Sequence, residues 1–204
     1  MNEQEQWDLL RSRAREYGPW IVAGVALAAA GLWGWKWWQA RTEERLLQAG
    51  AQYEQVVSAF SGNDMAKVQA LADKLSQEHP GTGYAEHAQL AVAGLQVEHN
   101  QAGAAIERLQ KVMAATKDAE LALTVRLRIA RIQLDQNRAD DALATLAAVQ
   151  PGAFAARFAE VRGDALLAKG DRAAALKAYR EAASSADKGS NELLTLKINA
   201  LAHS

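Results

Sequence analysis

Ala159-Glu160-Val161-Arg162-Gly163-Asp164-Ala165-Leu166-Leu167-Ala168-Lys169-Gly170-Asp171 decides how this chain folds. A helical run stops there at a glycine, and Ala174-Ala175-Leu176, Tyr179 and Ala182 start a second helix at once. Sliding the same register upstream aligns Ala130, Asn137, Ala142, Leu146 and Val149, and before them Ala93, Asn100, Ala105, Leu109 and Val112. A more divergent first copy uses Val56, Asn63, Val68, Ala72 and Leu75, with Pro80 closing it. The turn positions Asn63, Asn100, Asn137 and Gly170 lie 37, 37 and 33 residues apart. Asn and Gly enter the left-handed conformation at a helix end most readily.

The pattern resembles the tetratricopeptide repeat, a helix-turn-helix unit of 34 residues. In that motif a small residue lets two helices touch, a large one fills the space beside it and a glycine ends the first helix. Gly163, Leu166 and Gly170 match these, and Ala175, Tyr179 and Ala182 match the small, large, small seam of the second helix. The extra residues in the first two copies imply longer helices or turns. Asn191 to Leu201, with Leu193, Leu194, Leu196, Ile198 and Leu201, is expected to be a terminal helix covering the last repeat's open face.

A second feature sets the N-terminal part apart. From Tyr17 to Trp35 the chain runs for 19 residues without a charge, a helical length of roughly 28 Å and close to the hydrocarbon thickness of a bilayer. Pro19 suits a first helical position, and Trp20, Trp33, Trp35, Trp37 and Trp38 bracket the run as interfacial aromatics. Lys36 lies at the end, where its stem can be buried and its ammonium raised to the headgroups. A cleaved secretory signal ending near Ala28-Ala29-Ala30 fits less well, because Glu3, Glu5, Asp8 and Glu16 precede a run longer than such signals use. Orientation is nearly tied on charge, with Arg11, Arg13 and Arg15 before the run and Lys36, Arg41 and Arg45 after it. The tight arginine cluster leans toward a cytoplasmic N-terminus. Gly24, Ala26, Ala28, Ala30 and Gly34 recur at a spacing that allows close approach of another helix, or reflect ordinary alanine-rich composition.

Three prolines in the whole chain, and an Ala, Leu, Gln, Glu, Arg and Lys-rich sequence from Arg41 onward, favour helix, and no window alternates as a strand would. The expected fold is all-α: a single N-terminal transmembrane helix followed by a tetratricopeptide-repeat α-solenoid. Residues 1–16 form a tail, 17–38 the transmembrane helix, and 39–204 a domain of about four helix pairs plus a C-terminal capping helix.

Catalytic chemistry has little to work with. The net charge of −1 gives no electrostatic case for nucleic acid, and the absence of cysteine excludes disulfides, thiolate catalysis and cysteine zinc sites. His79, His87, His99 and His203 have no zinc-binding spacing. The adjacent carboxylates Glu43-Glu44 and Asp140-Asp141 suit a polar helix face and a helix start. No phosphate loop, dinucleotide fingerprint or nucleophile elbow occurs, so no cofactor, metal or small-molecule substrate is expected, and the protein is not expected to be an enzyme.

Repeat domains of this type bind other proteins on the face made by their first helices. The inward positions fall on Tyr53, Val57 and Phe60, on Leu90 and Val97, on Leu127, Arg131 and Leu134, and on Glu160, Asp164 and Leu167. An apolar groove with charge at its C-terminal end suits an extended or helical apolar segment as ligand. Core packing is an equal reading for Leu127 and Leu134.

The whole layout, with its Gly34-Trp35-Lys36-Trp37-Trp38 exit, Leu127-Arg128-Ile129-Ala130-Arg131-Ile132-Gln133 and Leu196-Lys197-Ile198-Asn199 ending, resembles the YfgM-like ancillary SecYEG translocon subunit family. That resemblance implies a single-pass protein of the bacterial inner membrane with a cytoplasmic N-terminus and a periplasmic repeat domain. It also implies two partners: the SecYEG translocon and a membrane-anchored periplasmic chaperone of the prolyl-isomerase-like type. The protein would then assist translocated proteins as they emerge. A structural adaptor for envelope or cell-division assembly would use the same architecture with other partners.

Overall fold

The computed structural model describes residues 3–185 and 192–202, with side chains from residue 24 onward. The tail expected over 1–16, Pro19, Trp20 and the arginines that orient the span therefore have their side chains outside the described residues, as do Asn191 and His203 altogether. The chain divides into two units, Met1–Gln48 and Ala49–Ser204.

In the first unit one helix, α1 (Glu3–Ser61, continuing into the second unit), runs through the expected span. Every described side chain from Gly24 to Gln48 is exposed, including Leu27, Leu32 and Trp33. The Trp35 and Trp38 rings lie 5.6 Å apart, and the Arg41 guanidinium stands 4.1 Å from the Trp37 ring centre. Among the described residues no helix is long and apolar enough to cross a membrane. The expected span begins at Tyr17, and the part with described side chains, Gly24–Trp35, amounts to about 18 Å of helix before Lys36 and Arg41 add charge.

In the second unit the end of α1 is followed by α2 (Met65–Glu78), α3 (Gly83–Glu98), α4 (Ala102–Ala115), α5 (Ala119–Asp135), α6 (Ala139–Ala147), a 3-10 turn (Gly152–Phe154), α7 (Ala155–Ala168), α8 (Arg172–Ser185) and α9 (Glu192–Ala202). The starts are set by caps: Asp64, Thr82, Asp118 and Asp171 accept backbone N–H bonds from the first turns of α2, α3, α5 and α8. The stops are set by the expected turn residues. Asn63, Asn100, Asn137 and Gly170 have φ of 53°, 60°, 59° and 84°. Each ends its helix with the same pair of bonds, as in Gly170 N–H to the Leu167 carbonyl at 2.9 Å and Asp171 N–H to that of Leu166 at 3.0 Å. This Schellman closure satisfies two orphan carbonyls and turns the chain back on itself.

Four apolar clusters follow one another along the unit. Val56, Val68, Ala72, Leu75, Ala88 and Val92 join α1, α2 and α3. Leu90, Ala105, Leu109, Val125 and Ile129 join α3, α4 and α5, and Leu127, Ala130, Ala142, Leu146, Phe158 and Val161 join α5, α6 and α7. The last cluster gathers Ala159, Ala175, Tyr179 and Ala182 with Leu194, against which Ile198 and Leu201 also pack. Helix α9 thus covers the last repeat as expected. Of its apolar side chains Leu194, Ile198 and Leu201 make this contact, while Leu193 and Leu196 are exposed: the i, i+4, i+7 stripe packs on the last repeat.

At the closest approach of α7 and α8, Gly163 meets Tyr179. A Cβ added to Gly163 would stand 2.5 Å from Tyr179 Cε1, and that ring is buried and held by its hydroxyl donating to Asp164 Oδ1 at 2.7 Å. Alanine's better helix propensity is worth at most about 1 kcal/mol, against about 1–3 kcal/mol for overpacking a core that cannot yield. Gly163→Ala is therefore expected to lower the thermal midpoint of the helical circular-dichroism signal; an unchanged or higher midpoint would contradict this packing. At the Asn137 turn, Gly should be tolerated and Val should cost about 1–2 kcal/mol, which urea titration of the two variants tests.

Candidate protein-binding surface

The first helices of the repeats, the end of α1 with α3, α5 and α7, carry every residue expected to line a groove. Leu90 and Leu127 are 5% and 3% exposed and belong to the core, not to an open face. Val97 and Leu134 are partly buried against the same clusters. The physical reason is that these positions face the repeat's own second helix. Tyr53 is partly buried, while Val57 and Phe60 are both 40% exposed and Leu167 and Arg131 lie in the open. Glu160 and Asp164 are half-buried under α9.

What remains open on α3 and α5 is a narrow stripe, of which sequence reasoning named Arg131 alone. On α3 it runs through Tyr84, His87 and Gly94, and on α5 through Arg128, Arg131 and Asp135, with half-buried Thr124 at its start, at the three- and four-residue steps that share one helix face. In the sequence it is a polar or small stripe between two apolar ones. Tyr84 continues the stripe from α1, since its ring lies 5.7 Å from that of Tyr53 and in contact with the position of Gly50. The exposed chemistry changes along the solenoid from aromatic and aliphatic to cationic to acidic.

The acidic end is already engaged. Lys197 Nζ on α9 donates to Glu160 Oε1 at 2.9 Å and to Asp164 Oδ1 at 2.8 Å, and stands 5.3 Å from the Tyr179 ring centre. Burial by itself would lower the pKa of this ammonium, but the hydrogen bonds and charges of Asp164 and Glu160 outweigh it and raise the pKa. Burial, and then the Asp164 carboxylate, push the Tyr179 phenol well above its ordinary value.

Among the described residues no group of three or more His, Asp or Glu side chains could hold a metal ion. His79 is buried, His87 is exposed and the His99 ring bonds the Leu95 carbonyl at 2.8 Å. The carboxylate pair at the start of α6 is neutralised, Asp141 by Arg138 at 2.7 Å and Asp140 by Lys169 at 2.6 Å. Glu43 and Glu44 lie exposed on α1. The arrangement can bind a polypeptide by shape and charge.

A family described as a tetratricopeptide repeat-like domain matches residues 14–203. An ancillary SecYEG translocon subunit from Escherichia coli is 32% identical over 201 residues, covering 98% of this chain and 97% of that relative. The subunit of the same name from Haemophilus influenzae is 30% identical over 201 residues, covering 98% of both chains. The chain belongs to this ancillary SecYEG translocon subunit family. Among solved structures, the MamA fragment from residue 41 to the end from Desulfovibrio magneticus RS-1 superposes with a TM-score of 0.56 at 13% identity, over 76% of this chain and 89% of that one. That likeness shows the helical-repeat fold alone. Within the ancillary-subunit family, then, this member presents an open stripe on its first helices and closes the acidic end of it with its own lysine.

Lys197→Met should lower stability by on the order of 1–2 kcal/mol once solvent screening is allowed for, by leaving two half-buried carboxylates uncompensated. Because the folded ammonium has a raised pKa, its contribution is fully present below its ordinary value of 10.5 and is lost as pH rises through the folded one. Thermal melts of wild type and variant should therefore differ near neutral pH and converge at strongly alkaline pH.

Proposed function

We propose that this protein is a membrane-tethered interaction module, an ancillary subunit that assembles with the SecYEG translocon and assists translocated proteins. The observation that carries this reading is the open stripe of the repeat unit, where Val57, Phe60, Tyr84 and Arg131 stand exposed on a fold whose first helices are otherwise packed on two sides. Aromatic and arginine side chains are the anchors that protein interfaces favour. The names of the relatives, each an ancillary SecYEG translocon subunit, support the translocon as partner. The role is that of an adaptor and not of an enzyme. A membrane-anchored periplasmic chaperone of the prolyl-isomerase-like type is the second partner we propose.

The proposed division is a cytoplasmic tail over 1–16, a transmembrane helix over 17–38 and a periplasmic repeat domain over 39–204, in the bacterial inner membrane. The exposure of Val25, Leu27, Leu32 and Trp33 supports it: leaving such side chains in water forfeits about 1.5–3 kcal/mol each, which lipid would recover. Gly24, Ala26, Ala28, Ala30 and Gly34 form the proposed face for a neighbouring span, with space to spare beside Gly24 and Gly34.

The chain has no cysteine, so single cysteines report without background. In cells with a permeabilised outer membrane, an impermeant maleimide should label Gln110→Cys and leave Gln4→Cys unlabelled until the inner membrane is broken. The reverse pattern would overturn the topology. Photocrosslinkers at Val57 or Arg131 in native membranes should trap a translocon subunit or the chaperone, and Val57→Asp should cut co-purification several-fold while Gln110→Asp leaves it intact. Recovery of cell-division or envelope-assembly proteins alone would favour the structural-adaptor reading instead.

A further inference from the structure

Apart from the open stripe, α9 leaves an apolar edge of its own at the C-terminal end of the stack. Leu193 and Leu196 are 59% and 61% exposed, whereas the next most exposed large apolar side chain described in the second unit, Tyr84, stands at 41%. Neither leucine holds α9 in place, because Leu194, Ile198 and Leu201 do that. Apolar side chains left in water together, one helical turn apart, mark a surface that a further element covers.

The repeat register says what that element is. Helix α9 packs on the last repeat at i, i+4 and i+7, as α3 packs on the pair before it through Ala88, Val92 and Leu95, and α5 through Val125, Ile129 and Ile132. Two residues after the first of each set comes the side chain that meets the repeat's own second helix: Leu90 in α3, Leu127 in α5 and Leu196 in α9. Leu90 and Leu127 are 5% and 3% exposed, because α4 and α6 lie over them. Leu196 holds the same place with no second helix over it among the described residues, so α9 is the first helix of a half repeat. The helices that fill the earlier seats show the chemistry of the missing one. They bring Ala105, Leu109 and Val112 from α4, and Ala142, Leu146 and Val149 from α6 and its end: a small residue, a large one four further on, and a branched one three beyond that. Asn199 stands where α3 has Ala93 and α5 has Ala130, so the occupant lies a little farther from α9 than α4 does from α3. A second copy of this chain has no such helix to offer, since the stripes of its own second helices are buried in the stack. The occupant is therefore a helix of another polypeptide.

We propose that the open edge of α9 docks one amphipathic helix of a partner polypeptide, which lays an Ala-x-x-x-Leu-x-x-Val stripe over Leu196, with Leu193 at its margin, and so completes a fifth repeat. This site is separate from the stripe and does not rest on the translocon reading. The test uses the full chain in lipid nanodiscs and, as probe, a fluorescent peptide copying residues 101–116. A lactam between the Glu107 and Lys111 side chains, both on the exposed face of α4, keeps that peptide helical. Anisotropy should show saturable binding, and Leu196→Asp in the protein or Leu109→Asp in the peptide should each weaken it about tenfold or more. Because Leu196 is exposed in the free chain, Leu196→Asp should leave the thermal midpoint unchanged. Val57→Asp, on the open stripe, should bind the peptide as the wild type does, so that the outcome is independent of whether the stripe contacts the translocon. Absent saturation, equal binding by Leu196→Asp or of the Leu109→Asp peptide, loss of binding in Val57→Asp, or a marked fall in the Leu196→Asp midpoint would each overturn the proposal. A Leu196-dependent dimer in sedimentation without peptide would overturn it as well, since a second copy would then cover the edge.

Discussion

Helices α3 and α5 have to bury two faces at once, and the rest of the repeat unit depends on it. Each lies between the second helix of the preceding repeat and that of its own, so α5 sends Val125, Ile129 and Ile132 into one cluster and Leu127, Ala130 and Leu134 into the next. Both sets follow helical spacing, offset by one or two residues, which leaves only a narrow strip of the cylinder uncommitted. Stability then accumulates from neighbour to neighbour, as expected of a stack in which each repeat meets only the adjacent ones. Whatever binds a first helix has to do so along that strip.

The ends of the stack need separate solutions for the same reason. At the C-terminal end of the described residues α9 packs after α8 and supplies Leu194, Ile198 and Leu201 in the place that a first helix takes in the earlier repeats. Its Lys197 then meets Glu160 and Asp164, two carboxylates that a following repeat would otherwise have to accommodate. A hydrophobic stripe and one cation together complete the surface, and the cation also fixes how α9 is rotated.

Much of this was legible in the residues. The four turn positions follow from the repeat register together with the Asn or Gly that stands at each, because few other residues accept positive φ without strain, and all four adopt it. The buried seam residues Ala93, Ala130, Gly163, Ala175 and Tyr179 were legible because close helix approach demands small beside large. The groove was less so. Leu90 and Leu127 are apolar and lie on first helices, but a periodicity of 3.6 cannot say which of two apolar stripes faces solvent and which faces a partner helix. Only the positions left over after both stripes are buried, such as His87, Arg128 and Arg131, mark the open face. The hydrogen-bonded set of Asp73, Gln89 and Arg108 was invisible for a different reason: its members come from three helices, and no local spacing brings them together.

The open strip also constrains what kind of binding it can support. A face one residue wide on each helix offers few fully desolvated anchors, and Val57, Phe60 and Tyr84 are each about 40% exposed before any partner arrives. Interfaces draw most of their energy from a few central aromatic and arginine side chains, while charge sets orientation and encounter rate more than affinity. Aromatic residues gather at the N-terminal end of the strip and the open arginines at its centre, so the strip offers apolar anchors at one end and positive charge in the middle. Because Lys197 offsets one of the two carboxylate charges at the far end, that end attracts a basic segment less than the bare pair would. Such a surface has a direction along the solenoid, from aromatic to cationic.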